Sequence, residues 1–234
     1  MKPFVTVRAA FWGGLLSIAP ILFGVVPFGL VYGVSATEIG LSPLEGLGMS
    51  LLLFAGAAQF VTVELLRTET SSWIILGSIA IVNLRFVVYS ASLASYFSPY
   101  SSFWKTIASY VVTDEPYALS IAYFTEHPQA PHKLWYHLGH GSGLWLVWIL
   151  SSAFGLLVGS VIPEEWSLEF ANSLMFIGLL IPAITGPTLV VVGVVAGLVA
   201  LMAAPLPHNI GFVLAVLCGI VVGVFLENRP MENK

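Results

Sequence analysis

The chain has 234 residues, of which 58% are hydrophobic and only 9% are charged, and its formal net charge is -4. Soluble domains carry roughly 25% charged residues. This composition, with a mean hydropathy of +0.94, therefore indicates an integral membrane protein, and no nucleic-acid partner is expected. The single cysteine, Cys218, excludes an intrachain disulfide framework and a thiolate metal site.

Apolar runs long enough to cross a bilayer recur along the chain, since a bilayer core of about 30 Å needs roughly 20 apolar residues. The candidate spans are centred on Val25, Ala57, Val82, Val111, Val147, Phe176, Gly193 and Val216. The sixth and seventh are short and meet at "IPAITGPT", so they could instead form a re-entrant pair or one broken unit. We predict an all-α, polytopic membrane helix bundle of about eight spans that forms one integral membrane domain over residues 1–234.

Lysine and arginine positions predict the orientation, because cytoplasmic loops carry an excess of both. With the N-terminus in the cytoplasm, eight spans place most basic residues on the cytoplasmic side: Lys2, Arg8, Arg67, Lys133, Arg229 and Lys234. Lys105 falls outside. A seven-span arrangement would move Arg229 and Lys234 outside, so the charge bias favours eight spans with both termini in the cytoplasm.

Helix breakers occur in two of the predicted spans. They are Pro20, Gly24, Pro27 and Gly29 in "APILFGVVPFGLVYG", and Pro182, Gly186 and Pro187 where the sixth and seventh spans meet. Proline removes a backbone donor and clashes with the preceding turn. Interrupted segments in corresponding halves point to the central site of a transporter. The first and sixth spans run in opposite directions in this topology, as an inverted repeat requires, so we predict broken helices there.

Small residues recur four positions apart in several spans. The pairs are Gly29/Gly33, Gly155/Gly159, Gly193/Gly197 and Gly219/Gly223. In lipid, such pairs let helix backbones approach closely. We expect them to pack helices within one bundle, or to form the face on which a second subunit docks, the two late pairs being the candidates for docking.

Charged residues lie near mid-membrane in the third and fourth spans. Arg85 stands in "IVNLRFVVYS", and Asp114 and Glu115 stand in "YVVTDEPYAL". An arginine at a helix centre costs about 2.5–3.5 kcal/mol, while each leucine returns about 0.3–0.6 kcal/mol. Arg85 must therefore face the bundle interior, paired or hydrated. A structural ion pair is one interpretation, but two carboxylates for one guanidinium favour a substrate or proton site.

Uncharged polar and aromatic side chains at similar depth complete the predicted site. Phe28, Phe60 and nearby aliphatic residues would supply an apolar pocket, and the broken first helix would present free backbone groups. The candidate substrate-binding residues are Pro27, Phe28, Gly29, Gln59, Phe60, Asn83, Arg85, Tyr89, Asp114 and Glu115.

Metal binding and serine catalysis are both disfavoured. His137 and His140 share a helix face, but no carboxylate lies at helical spacing from them and the segment before the fifth span is expected to be interfacial. "GHGSG" resembles a membrane serine-protease motif, yet His140 and Ser142 fall on different helix faces, so that histidine is not placed to activate the serine. We expect no cofactor, no bound metal and no enzymatic activity.

Four stretches resemble successive signatures of the AzlC family, the large subunits of bacterial branched-chain amino acid exporters. They are "APILFGVVPFGLVYG", "FAGAAQF", "NLRFVVYSASLASYF" and "TDEPYAL", in the right order and spacing over most of the chain. Two positions depart from the family pattern: Phe86, where histidine is frequent, and Ser95, where proline is frequent. The resemblance implies a transporter of the bacterial inner membrane that exports amino acids and works with a small partner subunit of the AzlD type.

The favoured hypothesis is a proton-coupled exporter of apolar amino acids. Arg85 would bind the carboxylate of a zwitterion, and Asp114 or Glu115 would bind its ammonium group or carry the proton. One methylene changes binding in an apolar pocket by only about 1–3 kcal/mol, so leucine, isoleucine, valine and methionine should all be handled. The alternative is a channel or carrier for another small ion or metabolite, in which Arg85 filters anions.

Overall fold

The computed structural model describes residues 4–159, 186–206 and 210–227, and this part of the chain contains helices and no strands. The helices are α1 (Val7–Glu38), α2 (Pro43–Leu53), α3 (Gly56–Arg67), α4 (Ser72–Ala94), α5 (Ser102–Tyr110), α6 (Asp114–Glu126), α7 (Lys133–Gly159), α8 (Pro187–Ala203) and α9 (Ile210–Glu227). The prediction of an all-α protein is confirmed.

Within the described ranges, four helices are long and apolar enough to cross a bilayer, namely α1, α4, α7 and α9. Helices α2 and α8 are apolar but shorter, with 11 and 17 residues. The candidate span centred on Phe176 lies outside the described residues. The count of eight spans and the inverted repeat therefore stay predictions.

The second and fourth predicted spans are each divided into two short helices. Phe54 and Ala55 separate α2 from α3, and residues 111–113 separate α5 from α6. Phe54 adopts a left-handed conformation with φ 36° and ψ 51°, which is an outlier for a bulky residue. Pro116 lies in the first turn of α6, where its missing N–H has no helical acceptor to lose. The chain therefore begins a new helix in the middle of the apolar run.

The predicted break in the first helix is wrong. Helix α1 runs through Pro20 and Pro27 without interruption for 32 residues. Both prolines lie on the exposed side of α1, and α7 packs against the buried side. Packing against α7 therefore stabilises α1 as one continuous helix, and this stabilisation outweighs the local cost of the two prolines. At the other predicted break, Gly186 caps α8 and Pro187 opens it, while Pro182 lies outside the described residues.

Helices α1 and α7 pack so closely that their backbones touch at glycines. A Cβ atom on Gly33 would overlap backbone atoms of α7, and a Cβ on Gly155 would overlap the backbone of α1. Gly29 and Gly159 are equally crowded, by Ser151 and Thr37. Such close approach is the known use of small residues in lipid. The prediction that Gly29/Gly33 and Gly155/Gly159 pack helices within one bundle is confirmed.

The described residues form two compact units. The first contains residues 4–60 and 80–159, and the second contains residues 61–79, 186–206 and 210–227. The first unit holds α1, α2, α5, α6, α7 and most of α4, so it carries the charged residues at issue. The assignment of residues 1–234 to a single domain stays a prediction.

In the second unit, α9 packs against α8 through its glycines. A Cβ on Gly219 would lie 3.4 Å from Cβ of Ala196, and one on Gly223 would lie 3.5 Å from Val192. The prediction that Gly219 and Gly223 offer a docking face is therefore corrected, because this face is directed at α8 of the same chain. No described atom outside α8 would lie within 4 Å of a Cβ added at Gly193 or Gly197.

Candidate functional site

Helices α4 and α6 bring Arg85 and Asp114 into an ion pair. The Nη1 atom of Arg85 lies 3.1 Å from Oδ2 of Asp114, and the hydroxyl of Tyr89 donates to Oδ1 of Asp114 at 3.0 Å. The side chains of Arg85 and Asp114 are 35% and 43% exposed, so the pair is accessible and not sealed in the core. The sequence left the partner of Arg85 open between two carboxylates, and the structure assigns it to Asp114.

The local fold explains why these three groups converge. Arg85 and Tyr89 are four residues apart on α4 and therefore share one helix face. Asp114 is the first residue of α6, where the positive end of the helix dipole favours a carboxylate. The break at residues 111–113 thus places a helix N-terminus and its carboxylate beside the guanidinium of Arg85. Glu115 follows, with Oε2 at 3.5 Å from the hydroxyl of Thr113.

Aromatic rings line the ion pair. The guanidinium carbon of Arg85 lies 5.1 Å from the ring centroid of Phe86, within the range of a cation–π contact. The ring of Tyr89 stacks on Tyr117 at 4.1 Å with an interplanar angle of 8°. The Tyr117 hydroxyl donates to Ser92 at 3.2 Å. Sequence reasoning missed Tyr117, although its spacing of three residues from Asp114 on α6 puts both on one face.

Two polar atoms on α4 have unused hydrogen-bonding capacity. Nε of Arg85 and Oδ1 of Asn83 are buried and have no hydrogen-bond partner in the part of the chain that the structure describes. Buried polar atoms in native proteins are nearly always paired. The free donor on Arg85 is therefore available to a ligand or a water molecule without disturbing the bond from Nη1 to Asp114.

A cavity of about 380 Å³ lies between α4 and α5. Ser90, which follows Tyr89, and Val112, two residues before Asp114, are part of its lining. Its other lining residues are Leu93, Ala94, Phe97, Ser98, Lys105, Thr106 and Ser109. The lining combines apolar side chains, hydroxyl groups and one ammonium group, and the volume is within the usual range for small-molecule sites.

Gln59 and Phe60 belong to a second, buried cluster in the same unit. Nε2 of Gln59 donates to Ser50 at 2.8 Å, and its Oε1 accepts from Nε1 of Trp148 at 3.0 Å. Tyr32 packs against Phe60 and Trp148, with ring centroids 5.9 and 6.0 Å apart. The cluster links α1, α2, α3 and α7, and the amide of Gln59 forms hydrogen bonds within it.

The break between α2 and α3 lies in contact with the residues that precede the break between α5 and α6. The rings of Phe54 and Tyr110 lie 6.0 Å apart. The hydroxyl of Tyr110 donates to the carbonyl of Leu51 and accepts from Nε1 of Trp145 at 2.9 Å. Leu51 carries one of the carbonyls that the end of α2 leaves without a helical partner. Tyr110, the last residue of α5, thus gives a hydrogen bond to a carbonyl that the break between α2 and α3 leaves free. Backbone polar groups at membrane depth require such partners.

The predicted site residues on α1 lie in other surroundings. Gly29 is buried against Ser151 in the contact between α1 and α7. Pro27 is exposed and Phe28 is partly exposed. A role in substrate binding for these three residues stays a prediction, as it does for Gln59, Phe60 and Asn83.

The histidines of the fifth span are not at an interface. His137 and His140 lie inside α7 and are fully buried, which corrects the expectation of an interfacial segment. His140 contacts Ser120 of α6, whereas the hydroxyl of Ser142 donates to the carbonyl of Leu138 in its own helix. Among the described residues, no group of three or more His, Cys, Asp or Glu side chains could hold a metal.

The family model described as AzlC protein matches residues 20–162, more than half of the chain. The chain belongs to the AzlC family. The matched region includes the ion pair of Arg85 and Asp114, both helix breaks and the buried histidines.

Three relatives place the AzlC family chain among membrane proteins. It is 28% identical to the inner membrane protein YgaZ of Escherichia coli, over 92% of this chain and 88% of that protein. It is 30% identical to a membrane protein of Archaeoglobus fulgidus, over 76% of this chain and 78% of that protein. It is 26% identical to the branched-chain amino acid transport protein AzlC of Bacillus subtilis, over 72% of this chain and 66% of that protein. No solved structure matches the chain.

Proposed function

We propose that this protein is the large subunit of a two-component secondary transporter that exports branched-chain and related apolar amino acids from the cytoplasm, coupled to protons. Membership of the AzlC family supports transport. The printed name of the Bacillus subtilis relative supports branched-chain amino acids as the substrate class. The direction of transport, the coupling ion and the second subunit are part of the proposal.

The observation that carries the proposal is the accessible ion pair of Arg85 and Asp114. A zwitterionic amino acid carries the same two charges in one molecule. Its carboxylate can replace Asp114 at the guanidinium, while its ammonium group pairs with Asp114. One internal ion pair is then exchanged for two pairs with the substrate, so neither protein charge is left without a partner. An unpaired charge is what makes such residues costly in a membrane.

The apolar side chain of the substrate requires a separate surface. Leu93, Phe97 and Val112 line the cavity between α4 and α5, and we assign the apolar side chain to it because Ser90 and Val112 of its lining lie within two residues of Tyr89 and Asp114 along the chain. Such a surface distinguishes poorly between side chains that differ by one methylene. We therefore propose leucine, isoleucine, valine and methionine as substrates of the same site.

Glu115 is the proposed carrier of the coupled proton. Asp114 is held by Arg85 and by the hydroxyl of Tyr89. Oε2 of Glu115 instead lies 3.5 Å from the hydroxyl of Thr113, a distance at which a hydrogen bond is weak. This difference supports Asp114 as the ammonium site and Glu115 as the proton site.

The resemblance to the family supports a small membrane partner of the AzlD type, and the name of the Escherichia coli relative supports the inner membrane. We propose that both termini are cytoplasmic, as the distribution of lysine and arginine predicts. Gly193 and Gly197 are candidates for the partner contact, since each has open space around it in the second unit.

Counterflow of labelled leucine in proteoliposomes, with and without the co-expressed small subunit, tests the proposal. Vesicles loaded with unlabelled leucine should accumulate labelled leucine transiently, and an imposed pH gradient should drive net movement. A channel would equilibrate the label without transient accumulation. The variant Arg85→Lys keeps the charge but loses the planar fork, so its counterflow should fall sharply.

The matched control is Arg67→Lys, which alters the other arginine that pairs with a carboxylate in the described residues. Nε of Arg67 lies 3.7 Å from Glu64 within α3. Wild-type counterflow in the Arg67→Lys variant and loss in the Arg85→Lys variant would support the site. Equal counterflow in both variants would remove Arg85 from it.

A further inference from the structure

Three buried polar side chains form a hydrogen-bonded chain between α6 and α7, which we call the histidine–serine chain: His137, Ser120 and His140. All three are 0% exposed. The hydroxyl oxygen of Ser120 lies 2.8 Å from Nδ1 of His137 and 3.0 Å from Nε2 of His140. Nε2 of His137 lies 3.1 Å from the carbonyl of Ala108 on α5. The histidine–serine chain thus connects three helices.

The contacts determine where each proton must lie when both rings are neutral. A carbonyl only accepts, so Nε2 of His137 carries a proton and its Nδ1 is an acceptor. The Ser120 hydroxyl therefore donates to His137 and accepts from Nε2–H of His140. Nδ1 of His140 is left with a lone pair, and this buried atom has no hydrogen-bond partner among the described residues. The histidine–serine chain ends in one free acceptor.

Within residues 4–159, 186–206 and 210–227, no charged side chain contacts His140. The ring of Tyr136 meets it edge-on at 5.1 Å, and Tyr123 of α6 stacks on the other side of that tyrosine at 4.2 Å. Lys133, one turn before His137 on α7, donates to the carbonyl of Pro128. From α5 the facing group is the Ala108 carbonyl, and α1 presents its backbone at Gly14.

The carboxylates of α6 lie at its two ends. Asp114 is bonded to Arg85 and Tyr89, Glu115 lies beside Thr113, and Glu126 lies 4.0 Å from His127. A positive imidazolium here would lack both solvent and a paired anion, which is costly.

We propose that Nδ1 of His140 is a proton-binding site, and that a proton bound there opens the contact between α6 and α7. Hydronium supplies the proton: one of its O–H bonds breaks to leave water, an N–H bond forms at the lone pair, and the ring gains one positive charge. Its new N–H has no acceptor in the packed arrangement, so hydration or separation of the helices must supply one. The conformation described above is accordingly the unprotonated one, and the opened conformation gains population as pH falls.

The position of Ser120 links this site to the ion pair. Asp114 and Ser120 are on the same helix, about 9 Å apart along the axis at 1.5 Å per residue. A displacement of α6 at Ser120 therefore moves the carboxylate that pairs with Arg85. This link to transport rests on the proposed function, whereas the proton site itself rests on the hydrogen bonds of the histidine–serine chain.

Intrinsic tryptophan fluorescence reports on this region without any substrate. Trp104 of α5 and Trp135 of α7 lie in edge contact at 4.8 Å, near Ala108 and His137. The full chain in lipid nanodiscs should change its emission as pH is lowered from 8 to 5. The change should be lost in His140→Gln, which keeps a donor toward Ser120 but has no titratable nitrogen. The change should persist in His132→Asn, because His132 is a histidine that does not belong to the histidine–serine chain.

A second variant protects the test against misfolding. Ser120→Ala leaves both rings and their direct contact, in which Nε2 of His140 lies 3.4 Å from Nδ1 of His137, but removes the hydroxyl that bonds to both, so the midpoint pH of the emission change should shift by at least about half a unit. An emission change that is absent in the wild type, that persists in His140→Gln, or that keeps its midpoint in Ser120→Ala overturns the proposal.

Leucine counterflow measured on the same preparations distinguishes a failure of the proton site from a failure of the proposed transport function. Counterflow by the wild type together with an unaltered pH response in His140→Gln refutes the proton site alone. A pH response that His140→Gln abolishes, without leucine counterflow by the wild type, refutes the transport function alone.

Discussion

Gly24 and Gly33 lie on the same helix in opposite environments, so the same substitution should change stability in opposite directions. In a helix, alanine is favoured over glycine by up to about 1 kcal/mol. A Cβ on Gly24 meets nothing within 4 Å. Gly24→Ala should therefore stabilise the protein by about 0.5–1 kcal/mol.

At Gly33 the new methyl group would meet three atoms of α7 at under 3 Å, namely N of Leu156, O of Ser152 and C of Gly155. These are backbone atoms, so they cannot move aside by changing a rotamer. The two helices must separate, and overpacking of this kind costs about 1–3 kcal/mol or more. After the gain in propensity is subtracted, Gly33→Ala should still destabilise the protein, by about 1–2 kcal/mol.

Thermal unfolding of both variants in one detergent, with an SDS titration of the free energy of unfolding, checks this pair. The melting temperature should rise or stay level for Gly24→Ala and fall for Gly33→Ala. A Gly33→Ala protein as stable as Gly24→Ala would show that α1 and α7 do not pack through this glycine, and the fold of the first unit would need revision.

Three further predictions concern the residues around the ion pair of Arg85 and Asp114 and the buried cluster around Gln59. Tyr89→Phe keeps the stacked ring but removes the bond to Asp114, so leucine counterflow should fall several-fold, whereas Tyr117→Phe should transport normally; equal rates would exclude the Tyr89 hydroxyl from the site. Gln59→Leu leaves a buried hydroxyl and an indole N–H unpaired, which at about 1–3 kcal/mol each should lower the free energy of unfolding by roughly 2–5 kcal/mol; a loss below about 1 kcal/mol would contradict the cluster. Glu115→Gln should flatten the pH dependence of net export while counterflow continues, and an unchanged pH profile would dismiss Glu115 as the proton carrier.

The ion pair could be predicted from sequence, but its exact composition could not. Arg85 needs a partner at mid-membrane, and the fourth span offers two adjacent carboxylates. Which of them pairs with Arg85 depends on the residue at which α6 begins. That start depends on the break at residues 111–113, whose backbone geometry no local sequence pattern reveals.

The position of the helix breaks was the main error of sequence reasoning. Pro20 and Pro27 indicated a break in α1, yet contact with α7 keeps that helix continuous. The break between α2 and α3 falls at Phe54, a residue that local propensity would not place in a left-handed conformation. The histidine–serine chain was missed for a related reason, since the partner Ser120 is distant in sequence and becomes apparent only when α6 packs on α7.

Leucine counterflow by the double variant Arg85→Gln/Asp114→Asn tests the central claim most directly. Both charges are removed together, so neither is left uncompensated, and two neutral amides can still bond to each other. Removing both members of an ion pair leaves no charge without a partner, whereas removing one member does. If the pair binds a zwitterion, the double variant should fold and melt near the wild type but show no leucine counterflow. Counterflow near the wild-type rate would show that the ion pair serves only to hold α4 and α6 together.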